Sequence, residues 1–321
     1  MRMLRLGSSG PEVSVIGFGA WEAGGKGWGK NPPDEEVISA IHAAIDAGVN
    51  WIDTAEIYGG GASEKLVGRA LDRRRSEMLI ATKVAPRGDG TGFRAKDVRR
   101  AVEGSLHRLR TDYIDLYQLH WPDAGVPIEE TWTAMAELAD RGVVRSIGVS
   151  NFGRRLIESC ERIRHVDSSQ PHFSLLHPKN RDLIRWCGER GIGVVPYSPL
   201  GCGLLSGAIT AETKFARNDW RNGTLWESEL YDQFFAPGRI EQSLSVAKGL
   251  RAIAARTGAT MSQLALAWNL AQPGVTSPIA GTRNADHIRE DAGAADLALD
   301  DETLSEIENL IELAPKGGEA D

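Results

Sequence analysis

Cysteine is scarce in this chain, and what there is suits neither metal nor disulfide chemistry. Its three cysteines, Cys160, Cys187 and Cys202, lack metal-ligand spacing, and an odd number argues against a disulfide framework. A reducing, cytoplasmic setting is the expectation. Long apolar runs are also missing. Nothing approaches the roughly 20 apolar residues of a membrane span, and the start Met1-Arg2-Met3-Leu4-Arg5-Leu6 reaches Gly7 with no signal-peptide apolar region. Excess positive charge is absent as well: the net charge is −7 and the pI is near 5.6. The run Arg73-Arg74-Arg75 is too short for a basic stripe, so neither nucleic acid nor an anionic membrane is the expected partner. A soluble protein acting on small molecules remains.

What is present is alternation. Residues 2–6 and 12–15 read as a hairpin about Gly7-Ser8-Ser9-Gly10-Pro11. Eight strands follow, at 15–18, 49–53, 78–83, 113–119, 143–149, 166–170, 192–197 and 275–279. Helical spacing separates them, as in Val37, Ile38, Ile41, Ala44 and Ile45, ended by Gly48. Eight βα units with no linker-like boundary predict an α/β fold, a (β/α)8 TIM barrel spanning 1–321 as one domain. An N-terminal β-hairpin precedes it. A long loop without periodicity, 199–239, follows the seventh strand. A doubly wound sheet is the alternative, but Ile16-Gly17-Phe18-Gly19-Ala20-Trp21 carries only the first half of a G-x-G-x-x-G turn.

Barrel sites form where strands end, and polar residues gather there. Asp53 ends the second strand, Lys83 the third and His120 the fourth; Ser150-Asn151, Gln170 and Tyr197-Ser198 follow the next three. Tyr58, before Gly59-Gly60-Gly61, lies five residues after Asp53. Each alone reads as a cap, loop or surface residue, but Asp, Lys and His on three successive strand ends make a constellation. Carbonyl reduction needs a hydride source, a proton donor and something to tune that donor. A buried Lys83 ammonium is expected to favour the Tyr58 phenolate and lower its pKa, with Asp53 holding the lysine. A neutral His120 is suited to donate to the carbonyl oxygen. No His/Asp ligand set for a metal accompanies His172 and His177, and no metal is expected.

These residues give the chain its resemblance to the aldo-keto reductase superfamily, from the hairpin to about residue 312. Asp53-Thr54-Ala55-Glu56-Ile57-Tyr58-Gly59, Ala81-Thr82-Lys83 and Gln118-Leu119-His120 resemble its catalytic segments. Arg145-Ser146-Ile147-Gly148-Val149-Ser150-Asn151-Phe152 and Pro196-Tyr197-Ser198-Pro199-Leu200-Gly201-Cys202-Gly203-Leu204-Leu205 resemble its cofactor segments. The resemblance implies Tyr58 as general acid/base, Lys83 and Asp53 as its tuning pair, and His120 as the residue orienting the carbonyl. It implies Ser150, Asn151 and Gln170 at the nicotinamide carboxamide and Tyr197 stacked on the ring. Ser198, Leu200, Gly201 and Cys202 are then expected at the pyrophosphate, and Ala20 and Trp21, with Asp53, near the nicotinamide.

Ile279 to Asp291 resembles the segment for the adenosine end, with Gly281, Thr282, Arg283, His287, Glu290 and Asp291 as its contacts. A helix N-terminus and the Arg283 charge favour NADPH. Relatives often carry Arg or Gln in place of His287, Asn in place of Asp291 and Lys in place of Ala208, so NADH use is also expected. Arg221 resembles a loop arginine that reaches the cofactor. Trp21 and Trp121, with Tyr58 and His120, are expected to wall the substrate pocket for a carbonyl or sugar, and Trp220, Trp226, Tyr231, Phe234 and Phe235 are further candidates. The second functional reading is a non-enzymatic cofactor-sensing regulator like potassium-channel β-subunits. The absence of an extension ahead of the barrel is read against it. Oligomeric state is left open.

Overall fold

Residues 1–86, 92–225 and 228–312 are described here from a computed structural model. Strands β1 (Met3–Arg5) and β2 (Glu12–Ser14) pair antiparallel as the expected hairpin. Eight parallel strands follow: β3 (Gly17–Gly19), β4 (Trp51–Asp53), β5 (Leu79–Val84), β6 (Ile114–Leu119), β7 (Val144–Ser150), β8 (Ser168–Gln170), β9 (Gly193–Val194) and β10 (Ile279–Gly281). They pair in chain order, with β10 beside β3. Closure between β9 and β10 uses single bonds: Thr276 N donates to Val194 O at 2.8 Å and Ile279 N to Pro196 O at 2.9 Å. This is the TIM barrel the alternation predicts.

Between the strands run helices α1 (Asp34–Asp46), α2 (Ala62–Ala70), α3 (Ala95–Leu109), α4 (Ile128–Asp140), α5 (Arg154–Glu161) and α6 (Arg181–Gly188). After β9 come α7 (Glu229–Phe234), α8 (Arg239–Thr257) and α9 (Met261–Ala271), and after β10 come α10 (Ala285–Ala292) and α11 (Asp301–Ile311). Two expectations need correction. The final strand is displaced from 275–279 to Ile279–Gly281, leaving Val275 in a lone bridge to Val194. The stretch 199–239 is not one irregular loop: it holds α7, whose Ser228 side chain accepts from Tyr231 N, and the short turns Gly201–Ser206 and Trp220–Asn222. Helices this short lack the two turns of apolar spacing that reveal a longer one.

Two apolar layers position the site. One lies between strands and helices; the other fills the barrel floor with Trp51, Ala81, Leu116, Val195 and Ile279, sealed from below by Leu6 and Val13 of the hairpin. Trp51 spans the floor and donates from Nε1 to Ser277 Oγ at 3.0 Å. Its ring takes the room a side chain at position 17 would need, since a Cβ on Gly17 would lie 2.2 Å from the indole. With the lower mouth plugged, the open end is the one where the strands' C-termini converge.

Candidate active site

At that open end a buried ammonium joins three elements. Lys83, fully buried on β5, donates from Nζ to Asp53 Oδ1 at 2.5 Å, to Thr54 O at 2.9 Å and to Tyr58 Oη at 3.4 Å. Asp53 sits at the end of β4, and its other oxygen accepts from Gln170 Nε2 at 2.9 Å and Gln118 Nε2 at 3.5 Å. A buried ion pair persists only when its remaining lone pairs are satisfied, and the two amides satisfy them. Gln118, on β6, is a residue the sequence reading missed as a site member. It alternates inward like any strand residue, and its motif neighbour His120 drew the attention.

Tyr58 is seated by backbone contact. It opens the turn Tyr58–Gly60, where Gly59 has φ +61°. A Cβ on Gly59 would stand 2.1 Å from Gly24 O, and one on Gly24 would stand 2.7 Å from Gly59 N. Only glycines allow the first and second barrel loops to touch there, which fixes the phenol over Lys83. Behind the lysine, buried Glu64 of α2 accepts from Thr82 Oγ1 at 2.7 Å and from Arg108 Nε at 2.6 Å.

Electrostatics depart from the expectation at Tyr58. Burial, joined by the charge of Asp53 and by Tyr197, holds its phenol well above the ordinary value instead of lowering it. The reason is geometric: the Lys83 charge is taken up by Asp53 at 2.5 Å, and the phenol sits farther away at 3.4 Å. Burial lowers Lys83 itself, while Asp53 and Glu64 pull it back up. His120, anchored by its N–H to Val84 O at 2.9 Å, is pushed well below the ordinary histidine range by burial and then by Lys83. Its Nδ1 is enclosed without a protein partner. An enclosed bare acceptor costs less than an enclosed bare N–H, so the neutral ring carries its hydrogen on Nε2.

Tyr58 and His120 face a cavity of about 770 Å³, also lined by Trp21, Trp121, Ser150, Asn151, Gln170 and Tyr197. Trp121 stacks on His120 with centroids 3.8 Å apart. Asn151, at φ +61°, donates to His120 O at 3.1 Å and accepts from Tyr197 Oη at 3.0 Å. Ser150 Oγ donates to Gln170 O at 3.0 Å. The far wall is polar, with His177, Asn180, Glu229 and Gln233, and Gln233 pairs with His177. The candidate loop aromatics turn inward instead: Trp220, Phe234 and Phe235 are buried, Trp220 stacking on Trp21 at 5.8 Å, and Tyr231 is half-buried. Trp226 lies outside the described residues. His172 and His177 stack at 4.2 Å, and among the described residues no group of three metal-ligating side chains forms.

A groove of about 390 Å³ shares Trp21, Tyr58 and Tyr197 with this cavity and runs away from it past Ser198, Leu200 and Cys202 to Gly281, Thr282, His287, Glu290 and Asp291. The backbone bends sharply there, Ser198 and Cys202 having φ of +53° and +55°. Arg221 also lines it, tied to Asp219 by bonds of 2.9 and 2.8 Å. A strap crosses beside it, with Trp220 N donating to Gly27 O at 2.9 Å and Trp28 bridged to Asp219. Three expected cofactor residues line neither the groove nor the cavity. Ala20 is buried in a backbone network, bonding from its N to Asp53 O. Gly201 packs under the loop against Leu176, and Arg283 donates to Trp28 O at 3.2 Å and Lys30 O at 3.4 Å. Glu22, which the sequence reading did not single out, lines the groove. Asp291 is buried there, its carboxyl pushed up to about 8 by burial and by Glu290 and Glu22.

An elongated groove thus meets the cavity, with aromatic Tyr197 at the shared mouth, bent polar backbone along the middle, and His287, Glu290 and Asp291 of α10 at the far end. Known proteins share the chain's sequence and fold. The model of the Aldo/keto reductase family matches residues 15–312. The Bacillus subtilis aldo-keto reductase YhdN is 35% identical, over 97% of this chain and 94% of its own. A probable voltage-gated potassium channel subunit beta from Arabidopsis thaliana is 33% identical, over 100% and 99%. Among solved structures, a glycerol dehydrogenase from Gluconobacter oxydans superposes with a TM-score of 0.83 at 29% identity, covering 96% of this chain and 94% of that one.

Proposed function

The chain belongs to the aldo/keto reductase family, and from that premise we propose an oxidoreductase that reduces small aldehydes or ketones, or oxidises the matching alcohols or sugars, with Tyr58 as general acid/base. The observation that carries this is the single buried Lys83 ammonium bonded to Asp53, Thr54 O and Tyr58, beneath the phenol that lines both the cavity and the groove.

A bound reduced nicotinamide supplies the hydride. Ser150, Asn151 and Gln170 are suited to its carboxamide and Tyr197 to its ring face, and Ser198, Leu200 and Cys202 would hold the pyrophosphate. The protein's part is proton management. The phenol of Tyr58, kept protonated by burial and by Asp53, gives its proton to the substrate oxygen as negative charge grows there. The phenolate left behind sits beside Lys83 Nζ, whose charge stabilises it. Neutral His120 offers an N–H to the same oxygen, and an oxygen bridged by two donors takes one fixed orientation. Trp21 and Trp121 wall the cavity and limit water. A phenol raised in this way favours reduction near neutral pH, while oxidation, which needs the phenolate, gains with rising pH.

NADPH is the coenzyme we assign first. Gly281, Thr282 and His287 line the groove's far end, and Arg283 brings a guanidinium beside it, facing Glu22 at 3.9 Å. A second reading is favoured by the likeness to the Arabidopsis channel subunit: a cofactor-bound regulator with little turnover. A spectrophotometric screen of NADPH and NADH oxidation against aldehydes, ketones and sugars separates the two. Sustained multiple turnover on any carbonyl supports the reductase. Tight coenzyme binding without turnover on the whole panel would leave the regulator.

A further inference from the structure

The groove contains a carboxylate that a phosphate site does not call for. Glu22 opens the turn Glu22–Gly24 just after Trp21, and its side chain lines the groove with Arg221 and His287. Its Oε2 lies 3.9 Å from Nε of Arg283. Its Oε1 is the nearest group above Gly281, where a Cβ would meet it at 3.6 Å. One carboxylate thus shares the groove's lining with Arg221 and His287, stands beside the Gly281 backbone, and faces Arg283 just outside that lining. Those are the groups to which the adenosine end of a phosphorylated coenzyme would turn.

The charges around Glu22 are largely spoken for. Arg221 is already clamped by Asp219, and Glu290 and Asp291 line the same end. Burial raises the Glu22 carboxyl, while Arg283, then Arg221, then His287 draw it back down. The two guanidinium groups act on Glu22 as they would act on a phosphate.

Resting on the dinucleotide reading of the groove, we propose that Glu22 sets coenzyme choice: its carboxylate occupies, as a built-in counter-anion, the site formed by Arg283, Arg221 and His287. A 2′-phosphate must share or displace that carboxylate. The 2′-hydroxyl of NADH need not. Glu22 thereby narrows the NADPH advantage that Arg283 provides.

Binding is the readout, so the test does not depend on turnover. Isothermal titration of the full chain uses NADPH, NADH, adenosine 2′,5′-bisphosphate and AMP. Glu22→Gln is expected to tighten NADPH and the bisphosphate about tenfold, as for removal of one like charge at short range. NADH and AMP should stay within about twofold. Glu22→Ala should move in the same direction, and in an Arg283→Met background the gain should largely vanish, because the two residues are coupled. Unchanged NADPH-to-NADH affinity ratios in Glu22→Gln and Glu22→Ala, in a protein that binds both coenzymes, overturn this proposal alone. A wild-type chain that binds neither coenzyme overturns the groove reading and this proposal with it.

Discussion

The two ends of the site are built on different principles. At the catalytic end, Asp53, Lys83 and Gln170 stand on or at the ends of strands, and each charge meets its opposite or an amide at hydrogen-bond distance. At the proposed coenzyme end, Glu22, Arg221 and Arg283 stand on loops and short turns and Glu290 on α10; Arg221 is held by Asp219, while Glu22 and Arg283 face each other at 3.9 Å. Strand-borne groups are fixed by the sheet's own hydrogen bonds, so their chemistry is set before a ligand arrives. Loop-borne groups can rearrange, so that end is where selectivity can be changed without disturbing catalysis.

Breaking the strand-borne end should have the largest effect. Lys83→Met removes the only ammonium touching Tyr58 among the described contacts, and kcat should fall by about 10³-fold, within the range for lost acid–base assistance. Coenzyme affinity should change little. Steady-state rates with a Kd measurement check both, and a loss confined to Kd would assign Lys83 to binding instead.

A smaller effect is expected at Gln118, which bonds Asp53 at 3.5 Å. Gln118→Leu should lower kcat about tenfold or less and move the alkaline limb of the pH profile, since Asp53 loses a donor and its charge presses harder on Tyr58. An unaltered profile would make Gln118 a packing residue only.

A third test reads the groove's far end through stability. The folded Asp291 carboxyl is raised from 3.8 to about 8, so across that window the folded state holds a proton the unfolded state has lost. Stability should therefore fall as pH rises from about 4 to about 8 and level off above it. Asp291→Asn should flatten that slope in denaturant titrations. An identical slope would show the carboxyl to be ionised in the folded protein.

The same contrast explains what the sequence made legible. Period-two and period-3.6 patterns revealed all eight barrel strands and the helices between them, and residue types at strand ends picked out Asp53, Lys83 and His120. Boundaries were blurred where pairing is sparse, as at Gly193–Val194 and Ile279–Gly281. Region 199–239 resisted because α7 is too short for a periodic signal, and its aromatics, taken as possible pocket walls, fold under the loop. Glu22 was invisible because a glutamate in a turn carries no motif. Its meaning comes only from Arg283, hundreds of residues away in the chain. The direction of the Tyr58 shift was missed for a related reason: residue types do not reveal that Asp53 lies nearer to Lys83 than the phenol does.

In the proposed reaction everything depends on Tyr58 giving up the proton. Tyr58→Phe removes one oxygen while keeping the ring that packs near Trp21 and His120. The most direct measurement pairs its kcat for carbonyl reduction with its Kd for NADPH. The expected result is turnover lowered by about 10³-fold or more with Kd within about twofold of wild type. Retained turnover at unchanged Kd would contradict the account and move the proton donor to another group.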